Sequence, residues 1–129
     1  MNKELCKVLV VDDVRDNADM TAELLRIWGH EAEVAYSAED ALSKAIAFDP
    51  DVVLMDIGMP GMNGFDIADE LRKSCPQAKF VALTGYTQAD IVRRAREAGF
   101  VRVLTKPATA KAVEEAVDIG CAASPSQQA

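Results

Sequence analysis

The sequence predicts a three-layer α/β fold, a parallel sheet of five strands with helices on both faces. Two observations carry this. Five short apolar or alternating runs are each followed by a segment whose apolar residues recur at helical spacing, and a regular β-then-α alternation is how a parallel sheet with helical crossovers reads in sequence. Stop residues fall between the segments, with Gly29 and Gly99 after helical stretches and Pro50 just before a strand.

Each element has its own signal. Lys7 to Val11 (KVLVV) is a continuous apolar run ending in Asp12-Asp13, the pattern of a buried strand. Asp16 to Trp28 places Ala18, Met20, Thr21, Leu24, Leu25 and Trp28 near helical spacing, with Gly29 as the stop. Glu31 to Tyr36 alternates like a half-covered strand. Ser37 with Asp40 three residues on resembles a capping box with Asp in place of Glu. The helix it opens runs to about Phe48, because Pro50 forbids continuation. Asp51 to Asp56 is the third strand, and the turn-rich stretch Gly58 to Gly64 leads to a helix over Phe65 to Lys73. Lys79 to Leu83 is the fourth strand, and Thr87 to Ala98 a helix opened by Thr87 and Asp90 and closed by Gly99. Phe100 to Leu104 and Thr109 to about Cys121 complete the set as strand and helix. Right-handed crossovers leave few topologies. The flavodoxin-like doubly wound order 2-1-3-4-5 is the expectation, and the alternation alone leaves other doubly wound orders open.

Composition narrows the function classes. A chain of 129 residues, half of them hydrophobic, fits one domain with a real core. The domain is expected over residues 1–123, with 124–129 (SPSQQA) as a disordered tail. A net charge of −7 argues against nucleic acid as a direct partner. No apolar run reaches the ~18 residues of a membrane span. Cys6, Cys75 and Cys121 are odd in number and far apart, so free thiols in a reducing cytoplasm are expected.

Ligands of open α/β sheets bind beyond the carboxyl ends of the strands, near the switch point. Here that point lies between strands 1 and 3. Strand 1 ends in Asp12-Asp13, strand 3 in Asp56, strand 4 in Thr84 and strand 5 in Thr105-Lys106-Pro107. Gathered carboxylates repel unless one is protonated or all share a cation. An all-oxygen set suits a hard ion, Mg²⁺ or Mn²⁺. A lysine opposes that cation, so Lys106 makes sense if a second anion enters: it pairs with Asp56 at rest and with a phosphoryl oxygen when one is present. Thr84 offers its hydroxyl to another phosphoryl oxygen. A carboxylate is an established phosphoryl acceptor.

The segments VLVVDDV, VLMDIGMPGMNGFD, ALTGY and VLTKP, in this order and at this spacing, closely resemble those of receiver domains of two-component response regulators. They anchor the chain from about Lys7 to Cys121. The resemblance implies Asp56 as phosphoacceptor, Asp13 as a direct Mg²⁺ ligand, Asp12 acting through metal-bound water and the Gly58 backbone carbonyl as third protein ligand. It implies Thr84 as switch hydroxyl and Lys106 as the family's invariant lysine, with a cis peptide bond before Pro107. The sequence departs from the family at Val103, where an aromatic residue usually stands as rotating partner of the switch hydroxyl; Tyr86 is the substitute expected. Gly58 is small for its position, and with Tyr86 it flanks the path of the hydrolytic water.

Other residues receive plainer readings. His30 follows a helix stop and is expected to be exposed, without a role. Trp28, Met20 and Leu24 read as core. Arg93, Arg94 and Arg96 read as a solvated helix face, or as part of a partner surface in the functional reading.

The expected function is a phosphoacceptor switch: Asp56 takes a phosphoryl group from a histidine kinase or histidine phosphotransfer protein and signals by protein contact. The face of the fourth helix, fifth strand and fifth helix would meet the downstream protein. The chain would be a stand-alone regulator or a receiver from a hybrid kinase, cytoplasmic, with no turnover of an external substrate. The alternatives are an aspartate-nucleophile phosphatase and a docking module independent of phosphorylation. The phosphatase reading is weakened because such enzymes carry D-x-D after the first strand, whereas D-D-V stands here.

Overall fold

Strands β1 (Lys7–Val11), β2 (Glu31–Ala35), β3 (Val52–Asp56), β4 (Lys79–Thr84) and β5 (Phe100–Thr105) are parallel and pair in the order β2-β1-β3-β4-β5. Helices α1 (Arg15–Ile27), α2 (Ala38–Phe48), α3 (Gly64–Ser74), α4 (Ala89–Glu97) and α5 (Ala110–Ala122) connect or follow them. This is the flavodoxin-like order expected from the sequence. The computed structural model describes residues 5–58, 64–85, 89–106 and 108–122.

The central strand β3 is buried along its whole length. Its side chains alternate between two cores, as a pleated strand requires. Val53 and Met55 join the layer of α2, α3 and α4, with Ala41, Ala45, Ile67, Leu71 and Ala95. Val52 and Leu54 join the layer of α1 and α5, with Ala18, Leu25, Val113 and Val117. Small alanines on the buried helix faces let the helices lie close to the sheet, and Phe80 and Phe100 fill the first layer with an edge-to-face contact of 5.9 Å between centroids. β2 shows the alternation expected of an edge strand.

The element ends follow their local chemistry. The Ser37 hydroxyl accepts the Asp40 N–H at 3.1 Å and caps α2. The reciprocal arm differs from a standard capping box: the Asp40 carboxylate accepts from the Tyr36 N–H, one residue before the cap, at 3.3 Å. Asp49 ends α2 in the left-handed region at φ 51°, so Pro50 then starts an extended segment. Gly29, at φ 101°, ends α1 as its position foretold.

Three expectations are corrected. Met20 is 68% exposed, not core; the buried stripe of α1 is Ala18, Ala22 and Leu25, which places Met20 on the opposite side. His30 is 4% exposed, not solvated. Its backbone N–H bonds the Leu25 carbonyl at 3.0 Å, which folds the ring inward against Cys6 as the chain enters β2. Cys6 and Cys121 are not free thiols: they are joined by a disulfide, and Cys75 is free and buried. The Thr87 cap, Tyr86 and the peptide before Pro107 lie outside the described residues.

Candidate functional site

The parallel order brings the carboxyl ends of β1, β3, β4 and β5 to one edge of the sheet. Asp12 follows β1 directly, and its backbone N–H still bonds the Ala35 carbonyl at 3.1 Å, which fixes it to the end of β2. Its Oδ1 accepts the Val14 N–H at 3.0 Å, turning the chain into α1. Asp13 then faces solvent. Asp56 closes β3 and is 6% exposed. Its Oδ1 accepts the Gly58 N–H at 2.8 Å, and its Oδ2 accepts from Lys106 Nζ at 2.8 Å. Lys106 Nζ also lies 3.3 Å from Asp12 Oδ2.

Asp12, Asp13 and Asp56 bring carboxylate oxygens within 4.8 Å of one another. Three carboxylates and the Lys106 ammonium leave two negative charges, which one divalent cation neutralises. The donor set is entirely oxygen, so a hard ion fits it. Burial raises the Asp12 pKa above its ordinary value, against the lowering effects of the Val14 N–H and of Lys106. For Lys106, burial disfavours the ammonium, but the hydrogen bond to Asp56 and the charges of Asp56 and Asp12 outweigh it, and the net shift is upward. The lysine is therefore charged throughout the physiological range.

Thr84 ends β4 and is buried, level with Thr105 of β5. The Lys106 N–H donates to its carbonyl at 2.7 Å, so the backbone around the lysine is tied to the Thr84 turn. Val103 pairs with Ala82 and packs, partly buried, against the core layer of α2, α3 and α4. Gly58 is exposed beside Asp56. The structure thus brings together Asp12, Asp13, Asp56, Gly58, Thr84 and Lys106 at one edge. Beside them, between α1 and α5, is an open cleft of about 480 Å³ lined in part by Asp12, Lys106, Thr21 and Met20. The strand-end reading missed Thr21 and Met20, because a cleft between two helices has no local sequence mark.

Gly64 holds the far side of the site in place. A Cβ on this residue would lie 2.6 Å from the Ile57 Cα, so α3 begins in direct contact with the backbone that follows Asp56. Gly64→Ala forces that backbone to move. The expected loss is about 1–3 kcal/mol, the usual range for overpacking a tight contact. A lower thermal midpoint than wild type is predicted, and an unchanged midpoint would show that the contact is not tight in solution.

The response regulator receiver domain model matches residues 8–118. The chain belongs to the receiver domain family. This receiver is 38% identical over 101 residues to a response regulator receiver protein of Anaeromyxobacter sp., covering 78% of this chain and 42% of that one. It is 34% identical over 113 residues to the chemotaxis protein CheY of Thermotoga maritima, covering 87% of this chain and 94% of that one. Among solved structures, a CheY-like receiver domain protein from Methanospirillum hungatei superposes with a TM-score of 0.82 at 27% identity, covering 91% and 94% of the two chains. Against some curated relatives, such as the Anaeromyxobacter protein, the receiver spans less than half of the relative's length. The match to CheY spans nearly all of it.

Proposed function

We propose that this receiver is a phosphorylation switch in which Asp56 accepts a phosphoryl group from a phosphohistidine on a histidine kinase or histidine phosphotransfer protein. The observation that carries this reading is Lys106, whose ammonium sits between Asp56 and Asp12 at 2.8 and 3.3 Å. A site built for a cation alone gains nothing from a lysine there. A site that also receives an anion needs one.

Asp12, Asp13, Asp56 and the Gly58 carbonyl would hold Mg²⁺, or Mn²⁺ as the alternative hard ion. The bound ion supplies charge neutralisation for the approach of a phosphoryl group to a carboxylate. The Asp56 carboxylate forms the new O–P bond as the P–N bond to the donor imidazole breaks. Lys106 moves from the carboxylate to an oxygen of the incoming group, keeping a charge-assisted hydrogen bond throughout. Thr84, at the end of β4 on the same sheet edge, would donate its hydroxyl to a second oxygen. The open cleft beside α1 borders on Asp12 and Lys106, the neighbours of Asp56 in the site.

The readout differs from the usual one at Val103. A valine has no ring to rotate. The bond from the Lys106 N–H to the Thr84 carbonyl offers another route, since a shift of Lys106 toward the new charge pulls on the ends of β4 and β5 together. The face of α4, β5 and α5 would carry that shift to a protein partner. Exposed Arg93 and Val101 contribute to its surface.

Metal dependence is the test of the ligand set. Wild type incubated with acetyl phosphate should gain one phosphate with Mg²⁺ and none with EDTA. Asp13→Ala should weaken Mg²⁺ binding by at least about tenfold, as expected when one carboxylate of a divalent site is removed. Undiminished affinity in calorimetry would remove Asp13 from the ligand set. The phosphatase reading predicts repeated turnover of small phosphomonoesters; the switch reading predicts at most one phosphate per chain.

A further inference from the structure

A second chemically distinct cluster lies at the opposite end of the sheet from Asp56. Cys6 stands just before β1, His30 just before β2, and Cys121 in the last turn of α5. The Cys6 and Cys121 sulfurs form a disulfide across 115 residues of chain, with Cα atoms 6.0 Å apart. That separation is within the ordinary range for a disulfide. All three residues are buried, Cys121 completely and Cys6 at 7% exposure. His30 Nδ1 accepts the Cys6 backbone N–H at 3.2 Å and lies 3.9 Å from the Cys6 sulfur.

The fold builds this meeting point. A Cβ on Gly120 would lie 2.8 Å from Val52 Cγ2, so only a glycine lets the last turn of α5 lie this close to the start of β3. Cys121 is thereby carried onto Cys6. The Glu31 N–H donates to the Cys6 carbonyl at 3.2 Å, which holds the His30 turn against the same point. Cys75 is separate. It belongs to the core on the other side of the sheet, donates its S–H to the Leu71 carbonyl at 3.1 Å, and is pushed by burial to a pKa of about 11. It stays a protonated, unreactive thiol.

We propose that Cys6 and Cys121 are a reversible redox latch, oxidised by hydrogen peroxide, that fastens the C-terminal turn of α5 to the first strand. Cys6 is the attacking thiol, being the more exposed of the pair. Its sulfur attacks one peroxide oxygen, the O–O bond breaks, and the departing hydroxide leaves as water with the Cys6 thiol proton. A sulfenic acid remains on Cys6. The Cys121 sulfur attacks that sulfur, the S–S bond forms, the S–O bond breaks, and a second water carries away the Cys121 proton. Two thiols are oxidised and one peroxide is reduced to two waters. A dithiol such as dithiothreitol reverses the change by exchange.

The latch stands independently of the phosphoryl reading. It closes a loop that includes almost the whole domain, the arrangement that restricts an unfolded chain most. It also fixes the last turn of α5 against the start of β1.

The test uses the full chain. After reduction and then peroxide treatment, intact mass should fall by two hydrogens, and peptide mapping should join the Cys6 and Cys121 peptides while Cys75 alkylates as a free thiol. The oxidised form should melt about 10 °C or more above the reduced form, and dithiothreitol should abolish the difference. Cys6→Ser should lose both the crosslink and the shift. Two results overturn the proposal: Cys6 and Cys121 alkylating fully after peroxide, or the reduced chain binding Zn²⁺ stoichiometrically and thereby resisting peroxide, which would make the cluster a metal centre.

Discussion

Asp56→Asn leaves a folded protein that gains no phosphate from acetyl phosphate and Mg²⁺. The substitution is nearly isosteric. An asparagine Oδ1 still accepts the Gly58 N–H, which wild type holds at 2.8 Å, so the turn after β3 persists. What is lost is a nucleophilic carboxylate and one negative charge. Removing that charge relieves repulsion with Asp12 but also takes the charged partner at 2.8 Å from Lys106, which keeps Asp12 at 3.3 Å; the two effects oppose each other, and stability in the absence of metal should change little. Mg²⁺ affinity should fall by about tenfold or more, since the cluster keeps two carboxylates against one ammonium. Intact mass reads the first effect, calorimetry the second, and a melt checks that loss of the adduct is not loss of the fold. A phosphate adduct of undiminished yield on the variant would move the acceptor elsewhere.

Lys106→Met should produce two effects of opposite sign. Asp12 and Asp56 are 2% and 6% exposed, and the variant leaves them facing each other without their ammonium. Breaking a fully buried pair costs about 3–5 kcal/mol. The Lys106 side chain is 26% exposed, and water therefore screens part of the loss. About 2 kcal/mol is the expected destabilisation without metal, or roughly 8 °C in melting midpoint for a domain of this size. Mg²⁺ affinity should instead rise, because the ammonium competes with the cation for the same oxygens. Phosphorylation should weaken the variant further, as the new dianion lacks its partner. The alkaline limb gives a second check. The folded-state pKa of Lys106 is raised, so its contribution is present below the unfolded value of 10.5 and is lost as pH climbs through the higher folded value. The variant should lack that alkaline step. Weaker Mg²⁺ binding with unaltered stability would mean that Lys106 supports the cation rather than a second anion.

Much of this was legible in the sequence because it depends on strand ends. A buried parallel strand is a continuous apolar run, so its last residue can be read directly. Asp12-Asp13, Asp56 and Thr84 end or follow such runs, whereas β5 is only partly buried and carries Arg102, so Lys106 is marked by the Thr105-Lys106-Pro107 stop at its end; the order 2-1-3-4-5 carries all of them to one edge. Helix stops were equally local, as Gly29, Gly99 and Pro50 show. The opposite edge was not legible in the same way. Cys6 and Cys121 are 115 residues apart and show no motif spacing; their contact depends on how closely α5 packs at Gly120. His30 looked like a turn residue after a helix stop, and its burial comes from the Cys6 backbone, which sequence spacing does not reveal. Met20 fitted a loose helical pattern, but the side of α1 that faces the sheet is set by Ala18, Ala22 and Leu25. Alanines are weak signals of burial in sequence and strong ones in a closely packed layer.

The central claim is that Asp56 itself carries the phosphoryl group, and reductive trapping tests it most directly. Borohydride treatment of the phosphorylated chain converts an aspartyl phosphate to homoserine, which peptide mass analysis can place at one residue. The account predicts homoserine at position 56, dependent on Mg²⁺ and on acetyl phosphate, with Asp12 and Asp13 unchanged. Homoserine at position 12 or 13, or a stable adduct that borohydride leaves untouched on a serine or threonine, would contradict it.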